Sequence, residues 1–302
     1  MGWKIAISLA FIFVTLSLLI LYWFVPLSTT EFTFSNYNTE IDTGNLSPQA
    51  LQFYPNMRFD STSITYKIHN CVLQKRDEMI RAFKVIEDKT VLNFKPVLDN
   101  EEISIHCDST QEIEGGLFIA GEGGPTNITK SGDFNVISNG KILLYRESKC
   151  SDPNVATHEL LHVLGFDHVS NKEDIMYPVS NCGQQISQST IDLIDELYIV
   201  PSYPDLSFEN ASAIMHGKYL NLNISIRNAG LSRSPKTTVD IYAGTSKIKE
   251  IDLESLEIGH GRIISLTNIW VSKLSVENIG ISIVSNFDEL DKGNNHITLS
   301  VK

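Results

Sequence analysis

Between Ile5 and Val25 the chain has no charged residue, and Lys4 is the only charge before Glu31. A helix of about 20 apolar residues spans a bilayer core. The run therefore predicts a signal anchor, a transmembrane helix over residues 1–26 that contacts the membrane through residues 5–25. A buried core helix is a poor alternative, because the segment is apolar all round and lies at the N-terminus. An A-x-A-like cleavage site is also missing from Trp23-Phe24-Val25-Pro26-Leu27, which speaks against a cleaved signal peptide. Were it cleaved, the product would be secreted. The lone Lys4 favours an N-terminus inside and the bulk of the chain outside the cytoplasm.

Basic residues are few. Lys and Arg total 24 against 36 Asp and Glu, a net charge of -12 with no basic stripe. Nucleic acid is thereby excluded as a partner, since phosphate binding needs clustered cations. No cysteine precedes Cys71, and Cys71, Cys107, Cys150 and Cys182 form no C-x-x-C. A cysteine zinc site or a thioredoxin-like motif is accordingly excluded. An even count outside the cytoplasm points to disulfides, with the pairing left open. Disorder is excluded too, by 42% hydrophobic and 20% charged residues.

The length suits two modest domains behind the anchor. Residues 27–55, rich in Ser, Thr and Asn, read as a stalk or a short propeptide. Residues 56–202 mix strands and helices. Ser63-Ile64-Thr65-Tyr66-Lys67-Ile68 alternates as a strand, and Met79, Ile80, Phe83 and Ile86 recur at helical spacing over Arg76 to Glu87. Gly115 to Gly140 must be loop with short strands. A helix is expected from Asp152-Pro153, with Asp152 as cap, and another over Ser187 to Leu197. From residue 203 to 302 short alternating strands, such as Leu220, Leu222, Ile224 and Ile226, are broken by Asn228-Ala229-Gly230 and Gly259-His260-Gly261. That texture predicts a β-sandwich. The expected class is thus α+β with a C-terminal immunoglobulin-like sandwich.

The chemistry concentrates in His158-Glu159-Leu160-Leu161-His162-Val163-Leu164-Gly165-Phe166-Asp167-His168. On a helix His158 and His162 sit one turn apart on one face and reach one ion. Gly165 lets the helix end in a left-handed turn that swings His168 back as a third ligand. Three protein ligands leave one position open, as a catalytic zinc requires and a structural zinc does not. Glu159, rotated off the ligand axis, reaches a water on the metal. His69, His106, His216, His260 and His296 have no ligand spacing and read as surface or hydrogen-bonded residues.

This segment resembles the metzincin pattern H-E-x-x-H-x-x-G-x-x-H, and Asp174-Ile175-Met176-Tyr177-Pro178 resembles the Met-turn that follows it. The Met-Tyr-Pro sequence and Ile64-Thr65-Tyr66-Lys67-Ile68-His69-Asn70 are most similar to matrixins. The resemblance implies a mixed sheet with an active-site helix over about residues 56–200 and an apolar floor at Met176. It also implies a substrate-pairing edge strand near residues 117–130 and disulfides Cys71–Cys107 and Cys150–Cys182. The chain departs from matrixins in having Val169 after the third ligand, and in matching neither their cysteine latch nor their structural zinc segment. Calcium is left without a matching segment. Residues 203–302 resemble the cell-adhesion-related CARDB domain through Pro204-Asp205-Leu206, Asn228-Ala229-Gly230 and Asp288-Glu289 with Asn294-Asn295.

The expected activity is zinc-dependent endopeptidase cleavage of protein or peptide substrates, with metal ligands His158, His162 and His168 and general base Glu159. Two other readings fit the same residues: an adhesion or binding protein with a vestigial protease domain, and a narrow processing peptidase or cell-wall amidase.

Overall fold

The computed structural model describes residues 2–23, 29–34, 51–108, 113–114, 117–145, 150–272 and 275–301. The first two elements are α1 (Gly2–Trp23) and β1 (Thr29–Phe34). Apolar side chains of α1, among them Ile7, Leu9, Phe11 and Phe13, are exposed. Among the described residues no helix is long and apolar enough to cross a membrane, so the fold does not establish the anchor expected over residues 1–26. Phe24 to Leu27, where a cleavage site was sought, lie outside the described residues.

The next elements make an α+β module. They are β2 (Met57–Phe59), β3 (Ser63–His69), α2 (Leu73–Glu87), β4 (Asn93–Pro96), β5 (Ile103–Cys107), the small pair β6 (Ile113–Glu114) and β7 (Leu117–Phe118), then β8 (Gly121–Ser131) and β9 (Phe134–Leu144). Helices α3 (Asn154–Val163) and α4 (Gln188–Leu197) close it. The main sheet has the order β2-β9-β5-β3-β4, with β8 on the other flank of β9. Every pairing in it is parallel except β8 with β9. β8 is thus an antiparallel edge strand, with one side free of pairing among the described residues. Met79, Phe83 and Ile86 of the stripe that the spacing predicts pack, together with Ala82, on Ile64, Ile103, Ile105 and Ile142 of the sheet, whereas Ile80, expected in that stripe, is exposed.

Both disulfides have the pairing that the family resemblance implied. Cys71–Cys107 joins the ends of β3 and β5, and Cys150–Cys182 ties the start of α3 to the segment after Met176. One local expectation is corrected. α3 starts at Asn154 behind Pro153, with no side-chain cap, so Asp152 does not cap it. The Asp152 carbonyl instead accepts the Asn154 N–H at 2.9 Å.

The remaining strands form the sandwich: β10 (Leu206–His216), β11 (Tyr219–Asn228), β12 (Thr237–Ala243), β13 (Ser246–Leu253), β14 (Gly261–Trp270), β15 (Asn278–Val284) and β16 (His296–Val301). Leu220, Leu222, Ile224 and Ile226 all point into its core, as their alternation predicts. The strand order is β13-β12-β15-β16-β1-β10-β11-β14. β1 lies in the middle, pairing antiparallel with β10 (Thr29 opposite His216) and with β16 (Phe32 opposite Val301).

Within the stretch 27–55, expected as a stalk or short propeptide, residues 29–34 are a strand of this sheet rather than a flexible stalk. Thr29-Thr30-Glu31-Phe32-Thr33-Phe34 is rich in β-branched and aromatic residues. It satisfies the backbone groups that β10 and β16 would otherwise leave unpaired at two strand edges. The far end of the same stretch is also structured: Gln52 bridges to Phe166, and the Phe53 N–H donates to the Gly165 carbonyl at 3.0 Å. Residues 27–28 and 35–50 lie outside the described residues.

Arg58 fastens the end of the α+β module. Its guanidinium donates to the carbonyls of Leu197 at 2.5 Å and Val200 at 2.8 Å and to the Ser202 hydroxyl at 2.8 Å, and stacks 4.2 Å from the Tyr198 ring centroid. Arg58→Ala leaves those buried carbonyls unpaired, and a loss of about 3 kcal/mol of stability is expected in chemical denaturation. Arg58→Lys should recover only part, because an ammonium lacks the planar fork.

Candidate metal centre

All ten residues of α3 are buried, including His158, Glu159 and His162. A helix can carry polar groups inside a core only if each finds a partner. The Nδ1 atom of His158 lies 2.5 Å from the Ile175 carbonyl, and that of His162 lies 2.8 Å from the Phe166 carbonyl. A carbonyl only accepts, so each Nδ1 carries the proton and each Nε2 presents a lone pair.

The helix ends as its glycine predicts. Gly165 has φ +95°, its N–H donates to the His162 carbonyl, and the Phe166 N–H donates to the Leu161 carbonyl. That pair of bonds is a Schellman motif. Space makes the same demand, because a Cβ on Gly165 would lie 2.7 Å from the Met57 Cβ.

The reversal brings His168 back over the helix. Its Nε2 lies 3.2 Å from that of His158 and 3.1 Å from that of His162. The lone pairs of His158 and His162 thus face the His168 Nε2, an arrangement that a proton on His168 or a shared cation satisfies. Ligands at a Zn–N distance of 2.0–2.1 Å in a tetrahedron are separated by about 3.3 Å, so the spacing fits zinc. Among the described residues this triad is the one group of His, Cys, Asp and Glu arranged to hold an ion. Burial, outweighing the Ile175 carbonyl and reinforced by the other two imidazoles, holds His158 down at about 4. Burial lowers His162 as well. Both are neutral near pH 7, the form that ligates metal.

The Met-turn lies against these ligands. Tyr177 N–H donates to the Asp174 carbonyl at 3.1 Å and Met176 N–H to the Asp174 Oδ1 at 2.8 Å. Val169 N–H donates to the Met176 carbonyl at 3.0 Å, tying the segment after His168 to the turn. Met176 itself is buried, and its neighbour Ile175 orients His158. Asp167 accepts the His168 backbone N–H at 2.6 Å, a turn contact rather than a contact to an imidazole.

Glu159 faces β8. A Cβ on Gly121 would fall 2.8 Å from the Glu159 Cγ, and one on Gly123 would fall 2.2 Å from its backbone oxygen. Glycine therefore lets the edge strand lie directly on the helix. Burial, with Glu122 adding repulsion, pushes the Glu159 carboxyl up to about 8. A divalent cation at the triad would favour its ionised form.

Sequence reasoning missed several neighbours. The Phe53 ring stacks on His162, with centroids 5.6 Å apart, and Leu51 accepts the Asp167 N–H at 2.9 Å. Only the apolar Leu51 and Phe53-Tyr54 within an otherwise polar stretch could have signalled this contact. Gly121 and Gly123 read as loop glycines, although close approach of backbone is an equally good reason for glycine. The other histidines stay outside the centre: His69 stacks on His106 and contacts Glu101, and His296 contacts Ser282.

Residues 58–199 match the family model described as Matrixin, and residues 203–299 match that of CARDB. The chain carries a matrixin domain followed by a CARDB domain. Among solved structures, a CARDB domain from Pyrococcus furiosus in complex with di-metal ions is 17% identical, with 33% of this chain and 88% of that one covered and a TM-score of 0.27. No curated protein matches the chain. The matrixin match supports a metallopeptidase domain in the α+β module, and the triad within it could hold a metal ion.

The contact between β8 and α3 in the matrixin domain yields a paired test. Gly123→Ala should cost about 1–3 kcal/mol through overpacking. Gly124→Ala, where a Cβ meets nothing within 4 Å, should stay within about 0.5 kcal/mol of wild type. Thermal melts of the two variants with zinc bound check this.

Proposed function

We propose that the chain is a zinc-dependent endopeptidase held at a membrane by its N-terminal segment, with the matrixin domain outside the cytoplasm. The observation that carries the catalytic part is the convergence of the His158, His162 and His168 imidazoles, with the His168 Nε2 3.2 Å and 3.1 Å from the other two, beside the buried Glu159 carboxyl of α3. The two disulfides favour an oxidising compartment. The uncharged run from Ile5 to Val25 and the exposed apolar side chains of α1 favour contact with lipid.

His158, His162 and His168 would hold a zinc ion, which would supply an acidified water and a polarising charge for a substrate carbonyl. Glu159 takes the proton from the attacking water and returns it to the leaving amine as the peptide bond breaks. The backbone oxygens of Ile175 and Phe166 keep the two helical imidazoles in the ligating tautomer. The free edge of β8 offers backbone donors and acceptors to an extended peptide, laid over Glu159 by Gly121 and Gly123. The full set of ligands and base favours an enzyme over a vestigial domain.

Glu159→Gln should retain about one zinc per chain by elemental analysis, while hydrolysis of a casein or peptide-library substrate falls by about 10²-fold or more. A chelator should abolish wild-type activity, and added zinc should restore it. Undiminished hydrolysis in the variant would refute the role of Glu159, and chelator-resistant cleavage would refute the zinc.

A further inference from the structure

The CARDB sandwich does not merely follow the matrixin domain; it grips the strand that borders the active site. Ser131, the last residue of β8, is fully buried, and its hydroxyl donates to the Gly230 carbonyl of the sandwich at 2.6 Å. Leu231, next in that turn, is also fully buried and belongs to the matrixin core rather than the sandwich core. A second sandwich turn closes from above: a Cβ on Gly259 would lie 2.6 Å from the Thr129 Cγ2 and 2.8 Å from the Lys130 carbonyl. The distal end of β8 is thus held by two turns of the other domain. Its proximal end, at Gly121 and Gly123, rests on Glu159.

Between these ends β8 is not a uniform ribbon. Its pairing with β9 shifts register at Pro125–Asn127 and again at Asn127–Ile128. Bulges of this kind break the ladder and bend the strand. The proximal half is placed by α3. The distal half, from Ile128 to Ser131, pairs with β9, rests on the matrixin core through Ile128, and is met by the sandwich at Thr129 to Ser131. An edge strand that pairs with an extended peptide binds well in proportion to how completely it is ordered beforehand.

Resting on the peptidase reading above, we propose that the CARDB sandwich is a working part of the substrate site. Through Leu231 and the Ser131–Gly230 bond it fixes the distal half of β8, so that long peptides are recognised along the whole strand. Leu231 and Ser131 are positioning residues in this role, since neither touches the reacting atoms. The sandwich turn at Gly259 also ends the free edge, about seven residues and roughly 23 Å beyond Gly123.

The test compares two chelator-sensitive peptide substrates on the full chain, one of four residues and one of about twelve that can lie along all of β8. In Ser131→Ala and in Leu231→Ala, KM for the long peptide should rise about fivefold, the size of one net hydrogen bond. KM for the short peptide and kcat for both should not move. Amide hydrogen exchange of residues 128–131 should quicken in both variants while exchange at α3 stays at the wild-type rate, a readout that needs no turnover. An unchanged long-peptide KM with unchanged exchange overturns the proposal. Equal losses on both peptides also overturn it, because they assign the contact to general stability. If wild type cleaves neither peptide yet β8 exchange still responds, the peptidase reading has failed and the grip on the strand has not.

Discussion

A helix with no exposed face has to be accommodated from every side, and α3 is such a helix. Its ten residues are all buried, and five of them, Asn154, Thr157, His158, Glu159 and His162, are polar. Glycine makes the room: Gly121 and Gly123 admit β8 against Glu159, and a Cβ on Gly140 would lie 2.4 Å from Val163 Cγ1. Backbone carbonyls supply the hydrogen bonds, from Ile175 to His158 and from Phe166 to His162. The same enclosure that makes the core costly for charge keeps the imidazoles neutral and the carboxyl protonated until a cation is present. Tight packing and metal chemistry are here one constraint.

Much of this was readable from residue spacing. His158, His162, Gly165 and His168 specify a helix, a left-handed ending and a return, and the chain folds in that way because each step is local. The sandwich strands announced themselves by alternation, as Leu220 to Ile226 show. The family resemblance, and not the spacing of the cysteines, supplied the two disulfide pairs.

What spacing could not show were contacts between residues far apart in the chain. Phe53 against His162 joins segments over a hundred residues apart. Gly123 looks like a loop residue until α3 is laid on it. Leu231 alternates with nothing and sits beside a turn, so nothing local reveals that it belongs to the other domain's core. β1 lay in a Ser- and Thr-rich stretch whose strand character depends on two edges made at the far end of the chain.

That placement of β1 governs the order in which the molecule can be assembled. Phe32 pairs with Ala213 on one side and with Val301 on the other, so β1 waits for partners that lie far along the chain. The matrixin domain, complete in the chain before β10 emerges, can fold while the sandwich still lacks its strands. Pairings of such sequence separation carry a large loop-closure entropy and close late. The insertion of β1 between β10 and β16 is therefore expected to be a late step of folding.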